Sequence, residues 1–473
     1  MFLHRRREVW LFWLALGLGL ALRLVFVLHA PRIAGDTLIY GDIAKNWMHH
    51  GVYGFAESPD GQAIPSLIRL PGYPLFLALC FRVFGDDQYT AVMMVQCLID
   101  LGTCVLLADL GRRVFGSRAA LIVLWLAVLC PFTANFVAAP LTETLTLACI
   151  VLAFYGLERW REQKMGWNRW LWIVAAALAY SLLLRPEQGL LAVAVVPAMA
   201  WLATVQGQRK SSLVKLVATV LLCVVLPLVP WTIRNQRTFH VFQPLVPRSA
   251  TDPGELVPTG FNRWYRTWAI DFASTEEVYW NWNTTTINID DIPTRAFDTE
   301  EQYNRVEALL NQYNETSNAT PSLDAAFAAL AKERIVDDPL RYYIALPLAR
   351  LANMVLRPRV DMMEIKLEWW KWSPHPGQTI FSSVYALLSL AYFILGALGL
   401  WQWGRRRWDG YTALGWSLLA FFLLRCALLL TLDNSEPRYT LEFFPLLIFW
   451  AGALFSKRLG ATSSAQSAYG RLR

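Results

Sequence analysis

The sequence predicts an all-α polytopic membrane protein, a bundle of helices that cross a lipid bilayer. Long apolar stretches recur along almost the whole chain of 473 residues, 55% of which are hydrophobic, and the mean hydropathy is +0.34. A helix satisfies its own backbone polar groups, so such stretches are stable in hydrocarbon. The basic residues behind the net charge of +7 cluster between the apolar stretches. Membrane topology explains that clustering better than a nucleic-acid partner does.

Ten segments have about the length that a bilayer requires, which is roughly 17–25 residues for a helix. The first follows three arginines and resembles a signal peptide, but it is long for one and many spans follow, so we expect it to remain uncleaved. The predicted spans are residues 8–29, 89–110, 118–136, 140–157, 170–184, 189–205, 214–233, 379–402, 411–432 and 439–455.

The distribution of lysine and arginine predicts the orientation of these spans, because cytoplasmic loops are enriched in both. Six basic clusters fall on one side, whereas the opposite short loops hold single arginines such as Arg185 and Arg438. Both termini are therefore expected in the cytoplasm, with the protein in the cell inner (cytoplasmic) membrane. The clusters are Arg5–Arg7, Arg112 with Arg113, Arg159 with Arg161 and Lys164, Arg209 with Lys210, Arg405–Arg407, and Lys457 with Arg458.

This topology divides the chain into three parts. Residues 1–235 form an N-terminal transmembrane catalytic module with a first extracytoplasmic loop at residues 30–88. Residues 236–378 form a small, α-rich extracytoplasmic domain, where the pattern of residues 321–356 predicts amphipathic helices on the membrane surface. Residues 379–473 hold the last spans and a cytoplasmic tail. An eleventh span at residues 340–356 is the alternative, and it would move the last arginine cluster outside.

Several kinds of chemistry lack their usual sequence signals. The seven cysteines lie in or beside apolar stretches without a Cys-x-x-Cys pair, so neither a disulfide framework nor a thiolate metal site is indicated. No Walker loop, Ser-His-Asp set or metal-ligand spacing is visible. We therefore expect no energy from ATP, and a leaving group that is already activated in the donor.

The first loop carries the most informative polar residues. Asp36 follows the first span, where its carboxylate could act as a general base; the alternative is an N-cap of the helix that follows. Arg69 precedes a rigid Pro-Gly-Tyr-Pro turn, and its guanidinium could clamp a phosphate bidentately or simply extend to lipid phosphates. Asp42 is a second candidate acid, for which a structural role is favoured.

Charged residues also stand at the outer ends of four other spans, at the same predicted membrane level as Asp36. An acid within a span costs about 2.5–3.5 kcal/mol on insertion scales, so it usually faces a polar cavity or a cation. Five charged span ends at one level predict a shared polar cavity, although the charges could instead pair among themselves. The residues are Glu143, Arg185, Glu187, Arg234, Asn235, Glu436, Arg438 and Tyr439, and Arg23 and Arg425 lie within spans as partners for acids.

Six short motifs, taken in order, resemble those of GT-C superfamily membrane glycosyltransferases. The branch is that of dolichyl-phosphate-mannose–protein mannosyltransferases and their bacterial relatives. The ordered set covers about residues 20–450 and is more specific than any single motif. The motifs are Asp36-xxx-Tyr40-xxx-Ala44, Arg69-Leu-Pro-Gly-Tyr73-Pro-Leu-Phe-Leu77, Leu141-Thr-Glu-Thr144, Leu184-Arg-Pro-Glu187, Pro230-Trp-Thr-Ile-Arg-Asn235 and Glu436-Pro-Arg-Tyr439.

The resemblance implies a GT-C-type helix bundle that transfers a sugar, with inversion, from a polyprenyl-phosphate donor to an extracytoplasmic glycan, lipid or protein. By that resemblance Asp36 is the general base, and Arg69 with a later arginine holds the lipid phosphate. Some relatives bind a divalent metal near the first-loop acid, so a metal stays possible. The residues expected to bind substrate are Tyr40, Arg69, Tyr73, Glu143, Arg185, Glu187, Arg234, Asn235, Arg438 and Tyr439.

The sequence departs from the family pattern in one place, and two alternative functions remain. Relatives often follow the Arg-Asn motif with a Gly-rich stretch, whereas here a run with Trp264, Tyr265 and Trp268 follows, and we expect acceptor choice to lie there. A lipid-linked glycan flippase or transporter would put its charges near the bilayer midplane. An undecaprenyl-diphosphate glycan ligase or polymerase would depend on basic residues of the outer loop.

Overall fold

The computed structural model describes residues 6–56 and 62–456, and its regular structure is almost entirely helical. Arg5, Lys457 and Arg458 of the basic clusters lie outside the described residues. Two short strands, β1 (Gly54–Ala56) and β2 (Ala63–Pro65), pair as an antiparallel hairpin. The helices of the first half are α1 (Arg6–His29), α2 (Asp36–His50), α3 (Gly72–Phe84), α4 (Tyr89–Phe115), α5 (Ser117–Val128), α6 (Pro131–Asn135), α7 (Glu143–Glu162), α8 (Arg169–Leu184), α9 (Gly189–Val205), α10 (Lys210–Val225) and α11 (Leu228–Phe239).

The second half begins with a domain of short helices and returns to the bundle at Pro376. Short turns of 3-10 or π geometry connect several of these helices, among them Pro437–Thr440. The helices are α12 (Thr259–Tyr265), α13 (Phe272–Ser274), α14 (Glu300–Asn314), α15 (Pro321–Asp337), α16 (Leu346–Leu356), α17 (Pro376–Arg405), α18 (Thr412–Leu429) and α19 (Phe443–Ala451).

Each of the ten predicted spans contains helix, but the count of ten is not confirmed. Five helices of the described residues are long and apolar enough to cross a membrane: α1, α4, α9 with its preceding turn, α17 and α18. Two bent pairs, α5 with α6 (44°) and α10 with α11 (41°), raise the number to at most seven. A proline lies at each bend, Pro131 and Pro227, and proline interrupts the helical hydrogen-bond ladder. The segment 340–356 does not qualify, so nothing favours an eleventh span.

Helix α3 occupies a stretch for which the sequence predicted only a rigid turn and an apolar run. It lies against the end of α8, where the Tyr180 hydroxyl donates to the Gly72 carbonyl at 3.1 Å. A β-carbon at Gly72 would lie 2.5 Å from the Leu183 carbonyl oxygen, so only glycine permits this approach. This contact holds the turn beside the end of α8. The turn carries Arg69, and Arg185 directly follows α8, so the two arginines are brought to the same end of the bundle.

The aromatic run after α11 forms the core of the short-helix domain. Trp264, Tyr265 and Trp268 are at most 1% exposed and pack with Phe327 and Trp282. These three aromatic side chains therefore serve as core, and that acceptor choice lies in the outer loop after the Arg-Asn motif stays a prediction. Near α15 and α16, large apolar side chains remain exposed: Val336, Leu340, Tyr343, Ile344 and Leu348. That these helices lie on a membrane surface stays a prediction.

A buried ion pair joins α1 to α4 within the bundle. The Arg23 Nε donates to Asp100 Oδ2 at 2.7 Å, and its Nη1 donates to the carbonyls of Gly19 and Val128 at 2.8 and 2.7 Å. Arg23 is fully buried, so the acid that the sequence required for it is Asp100. Arg425 likewise pairs with Glu442, with 2.9 Å between Nε and Oε2.

Replacing Arg23 by Met leaves the Asp100 carboxylate buried without its cation, and we expect the bundle to lose roughly 3–5 kcal/mol of stability. Thermal unfolding in detergent measures this loss. The double variant Arg23→Met with Asp100→Leu removes both charges and should recover most of it. Equal destabilisation in the single and double variants would contradict the pairing.

Candidate active site

Asp36 is the first residue of α2, and its side chain faces away from the helix end. The N-cap position belongs to Gly35, whose φ of +54° suits glycine, and no side chain caps the helix there. The Asp36 carboxylate instead accepts two hydrogen bonds, from Arg69 Nη2 to Oδ1 at 2.7 Å and from Arg438 Nη1 to Oδ2 at 3.2 Å. The cap that was the alternative for Asp36 is therefore not its role.

The turn Pro437–Thr440 presents Arg438 to Asp36. Its neighbour Glu436 pairs with the Arg438 Nε, which sets the direction of the guanidinium. Arg359, only 4% exposed, donates through Nη1 to the Pro437 carbonyl at 2.7 Å and also bonds Thr440. A buried arginine of the segment between α16 and α17 therefore holds the turn in place.

Two cations control the charge of the Asp36 carboxyl. Burial alone would raise its pKa, but the guanidinium groups of Arg69 and Arg438 outweigh burial and lower the pKa to about 2. The side chains stay partly open, with 28% of Asp36, 20% of Arg69 and 23% of Arg438 exposed. A small polar ligand can therefore reach all three groups.

A second ionic group adjoins the first. Arg185 bonds Glu143 through Nη1 at 3.3 Å and Glu187 through Nε at 2.7 Å, and Glu143 begins α7. The Arg185 guanidinium lies 5.9 Å from the centre of the Tyr439 ring, and the Tyr439 hydroxyl donates to Glu436. The start of α7, the end of α8 and the turn before α19 thus meet beside Asp36, and their charges pair with one another, which was the alternative to an open polar cavity.

Two tyrosines position Arg69 through a series of contacts: Tyr40 contacts its guanidinium, and Tyr73 contacts Tyr40. The Arg69 guanidinium lies 5.7 Å from the centre of the Tyr40 ring, and that ring makes an edge contact of 5.1 Å with Tyr73. The Tyr73 hydroxyl donates to Gln96 at 2.8 Å, and Gln96 donates in turn to two carbonyls of the segment after α6. Tyr73 is fully buried, so its contacts position Arg69 through Tyr40.

Arg234 and Asn235 make no contact with Asp36 in the described structure. The Arg234 guanidinium donates to the carbonyls of Tyr53 and Ser66 and so ties α11 to the β1–β2 hairpin. Asn235 donates to the Gln243 carbonyl at 2.8 Å. These contacts are structural, and a role for the two residues in donor binding stays a prediction.

Sequence reasoning missed two residues that complete the site, Gln96 and Arg359. Neither carries a local signal, because their partners lie far away in sequence and include backbone carbonyls. Glu436 was named in the sequence with its motif, and the structure pairs it with Arg438. In residues 6–56 and 62–456, no three His, Cys, Asp or Glu side chains form a group that could hold a metal ion.

Comparisons with known proteins agree with the family resemblance. The family described as dolichyl-phosphate-mannose-protein mannosyltransferase matches residues 68–231. An oligosaccharyltransferase from Archaeoglobus fulgidus, solved with a tethered acceptor peptide, is 11% identical, with a TM-score of 0.50 over 93% of this chain and 49% of its own. ArnT from Cupriavidus metallidurans, bound to undecaprenyl phosphate, is 14% identical, with a TM-score of 0.38 over 94% and 76%. No curated protein matches.

The chain spans about half the length of the archaeal oligosaccharyltransferase. Likeness at so low an identity shows the fold. Together with the family match, it confirms that the chain resembles GT-C superfamily membrane glycosyltransferases and that its fold is an all-α polytopic membrane bundle of that type.

Replacing Arg438 by Gln should raise the pKa of Asp36 from about 2 toward its ordinary 3.8, because one of its two cations is lost. The carboxylate contributes stability above the unfolded-state pKa of about 3.9, and this contribution disappears as the pH falls through the folded-state pKa. The variant should lose it at a higher pH than the wild type. Infrared titration of the carboxyl band, with Asp36→Asn as the blank, measures the shift. Arg248→Gln, at an exposed arginine paired with Asp433, is the control and should leave the titration unchanged.

Proposed function

Since the chain has the fold of GT-C membrane glycosyltransferases, we propose that it transfers a sugar from a polyprenyl-phosphate donor to an extracytoplasmic glycan, lipid or protein, with inversion. The observation that carries the proposal is one carboxylate held between two partly exposed guanidinium groups, Asp36 between Arg69 and Arg438. These are the two elements that the reaction requires: a base for the acceptor and a clamp for the phosphate. The family that matches residues 68–231 is named for such a donor.

In the proposed reaction, an acceptor hydroxyl attacks the anomeric carbon of the donor sugar from the side opposite the phosphate. Asp36 takes the hydroxyl proton as the new carbon–oxygen bond forms. The bond between the anomeric carbon and the phosphate oxygen breaks, and its electron pair stays on the polyprenyl phosphate. Arg69 and Arg438 stabilise the negative charge that develops there, which lowers the barrier through groups already in position.

The same two arginines regulate the base. A carboxyl with a pKa of about 2 is a weak base, because the charged form is already stabilised by Arg69 and Arg438. A donor phosphate that binds these guanidinium groups brings negative charge beside Asp36 and takes over its hydrogen bonds. The proton affinity of Asp36 rises as a result. The base therefore becomes effective when the donor is bound.

The internal charges favour this proposal over a flippase. Arg23, which lies within α1, is satisfied by Asp100 and by backbone carbonyls, so this pair is a packed element of the bundle. Asp36, Arg69 and Arg438, in contrast, lie at the ends of helices with part of each side chain exposed. We place this end on the extracytoplasmic face of the inner membrane, because the loops of the opposite end carry the basic clusters.

Asp36→Asn should reduce sugar transfer by about 10²–10⁴-fold, the range over which general bases contribute to catalysis. Membranes that carry the protein receive radiolabelled undecaprenyl-phosphate mannose, and label in endogenous acceptors is measured over time. Asp86→Asn is the matched control, because Asp86 is an exposed acid paired with His49 and should keep the wild-type rate. Transfer by Asp36→Asn at the wild-type rate would refute the proposed base. Consumption of only diphosphate-linked glycans would favour the ligase.

Undecaprenyl phosphate should raise the pKa of Asp36 above about 2, because its phosphate replaces the carboxylate at Arg69 and Arg438. Infrared titration of the protein in detergent, with and without the lipid, measures the change. Undecaprenol, the same chain without phosphate, should leave the titration unchanged. An identical pKa with both lipids would contradict the exchange of carboxylate for phosphate.

A further inference from the structure

The short-helix domain contacts the chain just before Arg438 through the side chain of Thr275, which is fully buried. Thr275 begins a single turn of π-helix, Thr275–Tyr279. π-Helical turns are rare and occur frequently at functional sites. This one lies against the residues Asp433–Glu436, which end two residues before Arg438. We call these four residues the 433–436 segment.

The Thr275 hydroxyl completes the hydrogen bonds of two buried groups. Its Oγ1 accepts a hydrogen bond from the Ser435 amide at 3.2 Å and lies 3.1 Å from the Tyr265 hydroxyl. Its own proton can go to the carbonyl of Asp271 at 3.4 Å or of Ser435 at 3.5 Å. Ser435 is 2% exposed, and a buried amide needs a partner within the protein. In the part of the chain that the structure describes, that partner is Thr275 Oγ1.

A second contact between the domain and the 433–436 segment is shared by two arginines. Asp433 Oδ1 lies 3.3 Å from Nη1 of Arg266, which follows α12, and 3.3 Å from Nη2 of Arg248. Loss of either arginine therefore leaves Asp433 paired with the other. The Ser435 amide has no such second partner among the described residues, so we expect the position of the segment to depend on Thr275.

The 433–436 segment controls the direction of Arg438. Glu436 directly follows Ser435, is 3% exposed and pairs with Arg438 Nε. Asn434 Nδ2 donates to Glu436 Oε1 at 2.8 Å, so the segment also fixes the conformation of the Glu436 side chain. Arg438 in turn donates through Nη1 to Asp36 Oδ2 at 3.2 Å. A shift of Ser435 therefore moves Glu436, and with it the guanidinium that bonds Asp36.

We infer that Thr275 is a positioning residue: its hydroxyl holds the 433–436 segment and thereby keeps Arg438 in contact with Asp36. The short-helix domain is in this way a part of the active site, although its aromatic side chains form a core. Arg359 supports the turn that carries Arg438, and Thr275 supports the chain that enters it. The inference concerns the geometry of Arg438 and is independent of the sugar transferred. Its consequence for transfer rests on the proposed function.

Thr275→Val tests the inference, because it removes the hydroxyl and keeps the branched shape of the buried side chain. The Ser435 amide then has no acceptor, so the segment moves and Arg438 loses its alignment. Infrared titration of the protein in detergent, with Asp36→Asn as the blank, measures the result without any donor. We expect the pKa of Asp36 to rise from about 2 toward 3.8, in the same direction as in Arg438→Gln. Thr275→Ser keeps the hydroxyl and should titrate as the wild type does.

Two comparisons separate positioning from a general loss of packing. Thr103→Val is the matched control, because Thr103 is 8% exposed and its hydroxyl donates to the Ile99 carbonyl at 2.8 Å within α4. The same buried group is lost there without a contact to the 433–436 segment, so the titration should not change. In the Arg438→Gln background, Thr275→Val should add no further shift, because its effect passes through Arg438.

A wild-type titration of Thr275→Val, alongside a shifted one of Arg438→Gln, overturns the inference. A further shift in the double variant also overturns it, as does a shift in Thr275→Ser equal to that in Thr275→Val. Thr275→Cys is a second variant of similar size, whose sulfur is a weak acceptor, and it should shift the pKa by less than Thr275→Val. If Thr275→Val does not fold, Thr275→Cys takes its place in each comparison.

Sugar transfer is measured in parallel on the same variants. Under the proposed function, Thr275→Val should lower kcat/KM by up to about 100-fold, which is the cost of displacing a group that contacts the reactants by about 1 Å. The titration requires neither donor nor acceptor, so it decides the inference by itself. Failure of the proposed function would appear instead in the Asp36→Asn transfer assay.

Discussion

The organisation of this protein depends on one ionic contact, the carboxylate of Asp36 between Arg69 and Arg438. Asp36 and Arg438 are 402 residues apart, so the contact closes almost the whole chain upon itself. Each partner stands where a helix or turn begins, which places charge at the end of the bundle and keeps it out of hydrocarbon. The charged groups can therefore remain partly hydrated while the helices behind them are apolar.

The surrounding packing serves to hold these three side chains at a fixed separation. Gly72 lets α3 approach α8, and this sets the turn that carries Arg69. Tyr40 and Tyr73 support the Arg69 guanidinium, and Arg359 fixes the turn that carries Arg438. Two of these supports, the approach of Gly72 to Leu183 and the Arg359 bond to Pro437, are contacts to backbone atoms. None of the supports uses the Asp36 carboxylate, so they can keep the geometry when a ligand changes its ionic pairing.

The charged residues that the structure brings together could be named from the sequence, because polar groups in a mostly apolar sequence are conspicuous. Asp36, Arg69, Glu143, Arg185 and Arg438 stand out in this way, and their catalytic and binding roles stay predictions. The supports could not be predicted, since Gln96 and Arg359 bond carbonyls that any residue would offer. Asp100, the buried partner of Arg23, could not be predicted for a related reason. Nothing in the local sequence of α4 distinguishes this acid as the partner of an arginine in α1.

Fold class was predictable from hydropathy, but the number of spans was not. Hydropathy measures how long an apolar segment is, but it does not reveal where a helix bends. Here α5 with α6 and α10 with α11 bend by more than 40° at their breaks. The exposure of the aromatic run in the short-helix domain was not predictable either. Trp264 and Trp268 look available for recognition in sequence, yet both are buried in a core with Trp282 and Phe327, which lie further along the chain.

The charge balance of the site bears on how a phosphate can bind there. Arg69 and Arg438 face Asp36 and Glu436, so the group is neutral before any ligand arrives. In the proposed mechanism a phosphate would therefore bind by exchange: it would gain two guanidinium contacts while the carboxylate loses its own. The exchange would cost part of the binding energy, but it would leave a desolvated carboxylate with raised proton affinity beside the sugar. Under this proposal donor binding energy is converted into basicity of Asp36, and an acceptor hydroxyl bound without a donor would meet only a weak base.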